Sequence, residues 1–97
     1  MSQFQWDEKK AEANWRKHGI RFEQAASVFE DPNRITDVDN RYDYGEERMK
    51  TTGMSEGLLL LVVAHTTREA DETEVVRIIS ARCAEPLERK RYGNRNF

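Results

Sequence analysis

The chain has 97 residues, 37% of them apolar and 35% charged, with a formal net charge of −2 and a single cysteine, Cys83. That length bounds it to one domain with a modest core, and the lone cysteine excludes an intrachain disulfide framework or a zinc-ligand spacing. The longest apolar run, residues 58–64, is too short to cross a bilayer, and the polar start "MSQFQWDEKK" has no leader-like stretch. A cytoplasmic location is expected, with no membrane, metal or cofactor involvement.

In chain order, "QFQW" suits a short edge strand. Asp7 then reads as the N-cap of a helix, "EKKAEANWRKH", stopped by Gly19. Phe22, Ala25, Ala26 and Phe29 follow helical spacing, so "FEQAASVFEDP" is a second helix ended by Asp31 and Pro32. The pair forms a helical hairpin with a tight corner at residues 18–21.

"RITDVD" suits an edge strand and "NRYDYGEE" a polar turn. "RMKTTGM" alternates: Met49 and Thr51 face one way, Arg48, Lys50 and Thr52 the other. "LLLLVVAHT" does not alternate, so it is a central strand buried on both faces. "READETE" reads as an acidic turn and "VVRIISA" as the last strand. "PLERKRY" is a basic C-terminal helix with Pro86 in its first turn. The expected architecture is α+β: a short N-terminal strand, a helical hairpin, a four-stranded antiparallel meander over residues 34–81 and a C-terminal helix. The helices cover one sheet face, leaving the other for solvent or a ligand. Residues 1–92 form the domain and residues 93–97 a flexible tail.

The small net charge hides a strong pattern. Residues 8–21 hold five Lys/Arg against two Glu, and residues 75–97 hold six against two. Between them, residues 22–47 hold eight acids against two Arg. Two basic ends flank an acidic middle, which allows anion binding despite the balance. The last strand raises a sharper question, because a core strand has little use for arginines at 77 and 82. Counted in twos, Arg77 shares a face with Val75, Ile79 and Ala81. Arg82 falls with Val76 and Ile78, at a strand end where alternation often fails. If Arg48 and Lys50 share Arg77's face, a cationic strip suited to phosphate groups crosses the sheet. The alternative is structural pairing with Glu46, Glu47, Glu74 or Asp7.

Several motifs resemble the BrnT toxins, in the right order, from about Phe4 to Tyr92. "FQWDEKKAEANWRKHGIRFEQAASVFEDP" resembles that family's opening, "GEERMKTTGMS" its Gly-Glu-x-Arg strand and "VVRIISARCAEPLERKRY" its final strand and helix. Arg21 and Glu85 depart from the small hydroxyl residues often found at those helix starts. The resemblance implies a RelE-like fold and a ribonuclease that arrests translation. It also implies a cognate BrnA-type antitoxin, through which the complex binds operator DNA.

RNA cleavage by the 2′-hydroxyl needs a base, an acid and a stabiliser of the charged phosphorane. On that chemistry the candidate catalytic residues are Arg48, Arg77, Arg82 and His18, the last either an acid, a phosphate contact or a helix-capping imidazole. Lys50, His65, Arg89, Arg91 and Tyr92 are candidate RNA contacts. His65 can equally cap the end of the central strand, and the "ERKRY" face can equally be solvated. Trp6 and Trp15 are expected to wedge helix against sheet rather than stack bases, and Cys83 has no catalytic setting. Since no unambiguous acid–base pair stands out, a non-catalytic RNA- or protein-binding module of the same fold remains a second reading.

Overall fold

The computed structural model describes residues 2–39 and 47–94. Strand β1 (Ser2–Gln5) leads into helix α1 (Glu8–His18) and the short helix α2 (Phe22–Ser27), which runs on as a 3₁₀ turn (Val28–Glu30). Strands β2 (Ile35–Asp39), β3 (Arg48–Ser55), β4 (Leu59–Ala70) and β5 (Thr73–Cys83) follow, then helix α3 (Pro86–Asn94).

Asp7 caps α1, accepting hydrogen bonds from the N–H of Lys9 at 2.7 Å and of Lys10 at 3.3 Å. Gly19 ends it at φ +69°, its N–H donating to Trp15 O at 2.8 Å. That left-handed conformation is one glycine adopts without strain. Arg21 replaces the expected cap of α2, and the start is held instead by its own N–H donating to Gln24 Oε1 at 2.8 Å. Its guanidinium lies 5.0 Å from the centre of the Trp15 ring.

The sheet is five-stranded in the order β1-β5-β4-β3-β2. The expected antiparallel meander is present as β2 to β5, with β4 internal. β1 joins it parallel to β5, so the sheet is mixed. Both later hairpins are tight, with positive φ at Glu56 and Gly57 and at Asp71 and Glu72. The acidic turn expected over residues 68–74 is therefore only two residues long, because β4 and β5 continue to meet it. The polar turn expected at 40–47 falls mostly on residues 40–46, outside the described ones.

Helices α1 and α2 cover one sheet face. Ile20, Phe22, Ala25 and Val28 pack there on Leu61, Val63, Val76, Ile78 and Ala81, with Phe4, Trp6 and Phe29 alongside. Gly53 is part of this contact: a Cβ on it would meet Val28 Cγ1 at 2.9 Å. The expectation of helices on one face only is corrected by α3, which packs on the opposite face. A small second core of Leu60, Val62 and Ala84, with Met54 and Tyr92, forms beneath it. The lack of alternation explains this: β4 is apolar on both sides, so its second face also needs cover. α3 also takes in Gly93 and Asn94, which the sequence had suggested were tail.

Candidate nucleic-acid interface

The open face is set by strand register. Asp37, Lys50, Ala64 and Ser80 stand in one row across the sheet, and Thr52, Val62 and Arg82 in the next. Register shifts once: Ala64 pairs Ser80, whereas His65 pairs Ile78, so Ile79 is an extra residue in β5. This β-bulge corrects the parity read from the sequence. Past it, Ala81 turns into the helix-side core and Arg82 joins the face of Lys50 and Arg77.

Part of this face and one side of α1 bound a cleft with a volume of about 410 Å³. Val62, Ala64, Ile79 and Ser80 lie in it on the sheet side, together with Lys50 and Arg82. Lys10, Ala13, Asn14, Lys17 and His18 supply the other wall. These five positions follow the spacing of a single helix face, so the 3.6-residue period alone aligns them. Among the described residues the lining holds four Lys/Arg and one His and no carboxylate. In so small a cavity such a set favours a polyanion.

The structure thus brings together His18, Lys50 and Arg82 from the sequence-derived candidates. It adds Lys10 and Lys17, which the strand-based reading missed. Their signal was present in the basic first segment and the i, i+7 spacing.

Arg82 is held by Glu88 of α3, with Nη1 and Nη2 donating to its two carboxylate oxygens at 2.8 and 2.9 Å. Glu88 also accepts the N–H of Glu85 at 2.7 Å. The hydrogen bonds from Arg82, against some burial, hold the Glu88 carboxyl below its usual range, and Lys50 contributes to this.

Other candidates stand elsewhere. Arg77 is exposed on the open face but outside the cleft lining. Its charge adds to the lowering of the Asp7 pKa, which comes mainly from the N–H groups of Lys9 and Lys10. Arg48 is half-buried opposite the buried Asp39 in the β2–β3 ladder, also outside the cleft lining. Arg89 is exposed on α3.

Arg91 and Tyr92, expected on the RNA surface, are engaged in fastening α3. Arg91 donates to both carboxylate oxygens of Asp37, at 2.6 and 3.0 Å. Tyr92 Oη donates to Asp31 Oδ2 at 2.5 Å, with its ring against the second core. Burial raises the Asp31 carboxyl, but the Met54 N–H, the Tyr92 hydroxyl and the Asn33 N–H outweigh it, so its pKa falls.

His65 is a clear correction. It does not end β4, and it lies on the helix side of the sheet with Leu61 and Val63, only 2% exposed. Its Nε2 is 2.8 Å from Thr51 Oγ1, its Nδ1 3.2 Å from Thr67 Oγ1, and the Phe29 ring meets it edge-on. Burial lowers its pKa to about 4, so at neutral pH it offers RNA no charge. Trp6 packs against the core as expected, edge-on to Phe22, whereas Trp15 is 48% exposed. Among the described residues there is no cluster of His, Cys, Asp or Glu able to hold a metal ion, and no helix is long and apolar enough to cross a membrane.

Comparison with known proteins bears on this cleft. A search of solved structures finds the crystal structure of the Brucella abortus ribonuclease toxin, BrnT, at 26% identity and a TM-score of 0.53. The match covers 88% of this chain and 97% of that one. A comparison with curated proteins gives no match. The family model described as the ribonuclease toxin BrnT of type II toxin–antitoxin systems matches residues 6–88, a span that includes α1, the whole β2–β5 meander and every lining residue of the cleft. The chain belongs to the BrnT family of ribonuclease toxins.

Proposed function

We propose that this protein is an endoribonuclease of RelE-like fold, that it arrests translation by cutting RNA in the α1–sheet cleft, and that a BrnA-type antitoxin neutralises it. The observation that carries this reading is the cleft's lining: Lys10, Lys17, His18, Lys50 and Arg82 converge, with no acidic residue among the described lining residues. Phosphates entering the cleft meet Lys10 and Lys17 on one side, Lys50 and Arg82 on the other. Arg77 extends the positive surface along the sheet, and Arg89 along α3. Arg48 faces Asp39, which favours an electrostatic role at the margin over contact with the reacting phosphate.

The chemistry that fits is attack of a ribose 2′-oxygen on its own 3′-phosphorus. The new O–P bond forms as the bond to the 5′-oxygen of the next nucleotide breaks. One proton leaves the 2′-hydroxyl and one reaches the departing 5′-oxygen. Among the described lining residues His18 carries the imidazole, a ring with one nitrogen that can accept a proton and one that can donate, so it is the candidate for proton transfer. Arg82 and Lys50 are suited to hold the charge of the phosphorane. The products are a 2′,3′-cyclic phosphate and a 5′-hydroxyl. The antitoxin acts by covering the cleft, and operator DNA is bound through the antitoxin, in the cytoplasm.

The test is incubation of the purified chain with a fluorophore-labelled single-stranded RNA, with product ends identified. Cleavage that leaves cyclic phosphates and is lost in His18→Ala, Lys50→Ala and Arg82→Ala supports the reading. RNA that is bound through these residues yet stays intact favours a non-catalytic binding module.

A further inference from the structure

The outer edge of β5 is paired with β1 only as far as Arg77, where Gln5 is the last partner. Beyond it, the backbone of Ala81 turns to one side chain. Ala81 N–H donates to Asn14 Oδ1 at 3.0 Å, and Asn14 Nδ2 donates to Ala81 O at 2.9 Å. The same nitrogen donates to Ile20 O, at the corner between α1 and α2, at 3.0 Å. A carboxamide has the donor and acceptor of a peptide group, so Asn14 serves as a one-residue strand on an edge that no described strand covers past Arg77. It is 6% exposed, and both of its N–H groups are used.

Its position links this clamp to the cleft. Ala81 follows the bulge and precedes Arg82, and its carbonyl belongs to the peptide plane from which Arg82 leaves the strand. On α1, Asn14 shares a face with Lys10, Lys17 and His18. One side chain therefore fixes both the wall of the cleft and the arginine on its floor.

We propose that Asn14 is a positioning residue for RNA cleavage, setting Arg82 against His18 through the backbone of Ala81. This rests on the cleft being the RNA site. Asn14→Asp removes both donors but keeps the shape, Asn14→Leu keeps the volume without any polar atom, and Asn14→Ser retains one donor and one acceptor should either of the others fail to fold. Thr51→Val is the control. It disturbs a buried hydrogen bond to His65 on the opposite sheet face, so it lowers stability without touching the cleft.

The experiment measures kcat and KM on a single-stranded RNA, at a temperature well below every variant's melt, across pH. Folded Asn14 variants are expected to lose about tenfold or more in kcat, with a smaller change in KM. Thr51→Val is expected to keep its kcat. Asn14→Asp should recover relative to wild type as pH falls, because a protonated carboxyl can again donate to Ala81 O, and Asn14→Leu should not recover. Variants that keep kcat within about twofold of wild type, or a Thr51→Val control that loses as much at equal loss of melting temperature, overturn the proposal. If the wild type binds RNA without cutting it, the nuclease reading fails, and Asn14 is then judged by RNA affinity: a weakened variant supports positioning of the cleft and unchanged affinity overturns it. A wild type that does not bind RNA overturns both.

Discussion

Arg82 and Glu88 hold each other through two parallel hydrogen bonds, 2.8 and 2.9 Å long, from the floor of the cationic cleft to the first turn of α3. The same carboxylate that steadies α3 therefore competes with phosphate for the arginine. Glu88→Gln should lower stability by about 1 kcal/mol, since both partners are partly exposed. RNA affinity should rise several-fold, because Arg82 is released and Lys50 loses a negative neighbour. Thermal melts and filter binding on one preparation check this. A lower melt with unchanged affinity would place Arg82 outside the RNA path.

RNA binding should depend strongly on salt although the chain is net acidic. With three to five phosphate contacts, tenfold more salt should weaken binding by about two to three and a half decades. Lys10→Ala should reduce the slope by about one contact. Lys9→Ala, one residue away but pointing off the cleft wall, should leave it alone. Equal losses from the two replacements would show that general charge, and not this cleft, attracts the RNA.

His65 gives the fold a pH dependence of defined sign. Its pKa is about 4 when folded, against an ordinary value of 6.5, so the unfolded chain binds more protons between those values. Stability from the neutral imidazole is complete above 6.5 and is lost as pH falls toward 4, by on the order of 3 kcal/mol. Denaturant midpoints between pH 7.5 and 4.5 should fall accordingly, and His65→Gln should flatten the curve in that window. Asp31, Asp37 and Glu88, all lowered, add their own losses at more acid pH.

Gly53→Ala should destabilise the protein by about 1–3 kcal/mol through overpacking. The new methyl meets Val28 at 2.9 Å, and Arg34 and Asp31 at 3.2 Å, on the helix side of the sheet. RNA cleavage per folded molecule should be unchanged. Urea titration and an activity assay on the folded fraction separate the two effects.

The neutralising antitoxin should cover the α1–sheet cleft. RNA cleavage should vanish in the saturated complex, and Lys10→Glu combined with Lys17→Glu should weaken capture, mainly by slowing association. Cleavage that persists at saturation would mean that the antitoxin acts from another surface.

The β2–β5 meander was legible in the sequence because the apolar run at 58–64 marks an internal strand between short polar connections, whereas the place of β1, parallel to β5 at the sheet edge, was not. The cleft was legible in halves. Lys50 and Arg82 stood out as charges within strands, but Lys10 and Lys17 looked like ordinary solvated helix residues until α1 was docked. Arg82 was assigned to the wrong parity because nothing in "VVRIISAR" marks Ile79 as the extra residue. His65 was misjudged for a related reason. A polar residue near the end of an apolar run looks like its terminus, yet β4 continues five residues further to Ala70. α3 was read from its charge as an RNA contact or a solvated face, because its fastening to Asp31 and Asp37 joins residues far apart in the chain.

The extra residue at Ile79 also constrains how this chain can change over time. The two halves of β5 are out of phase, so the strand's length is itself a determinant of where charge is displayed. Point substitutions can vary the cleft's lining one group at a time. A residue added between Ser80 and Arg82 would instead carry Arg82 to the helix side of the sheet, whereas loss of Ile79 would give a regular ladder with Arg82 still opposite Val62. Length variation among descendants should therefore collect in the Asp71–Glu72 hairpin, where added residues leave the phase of both halves untouched.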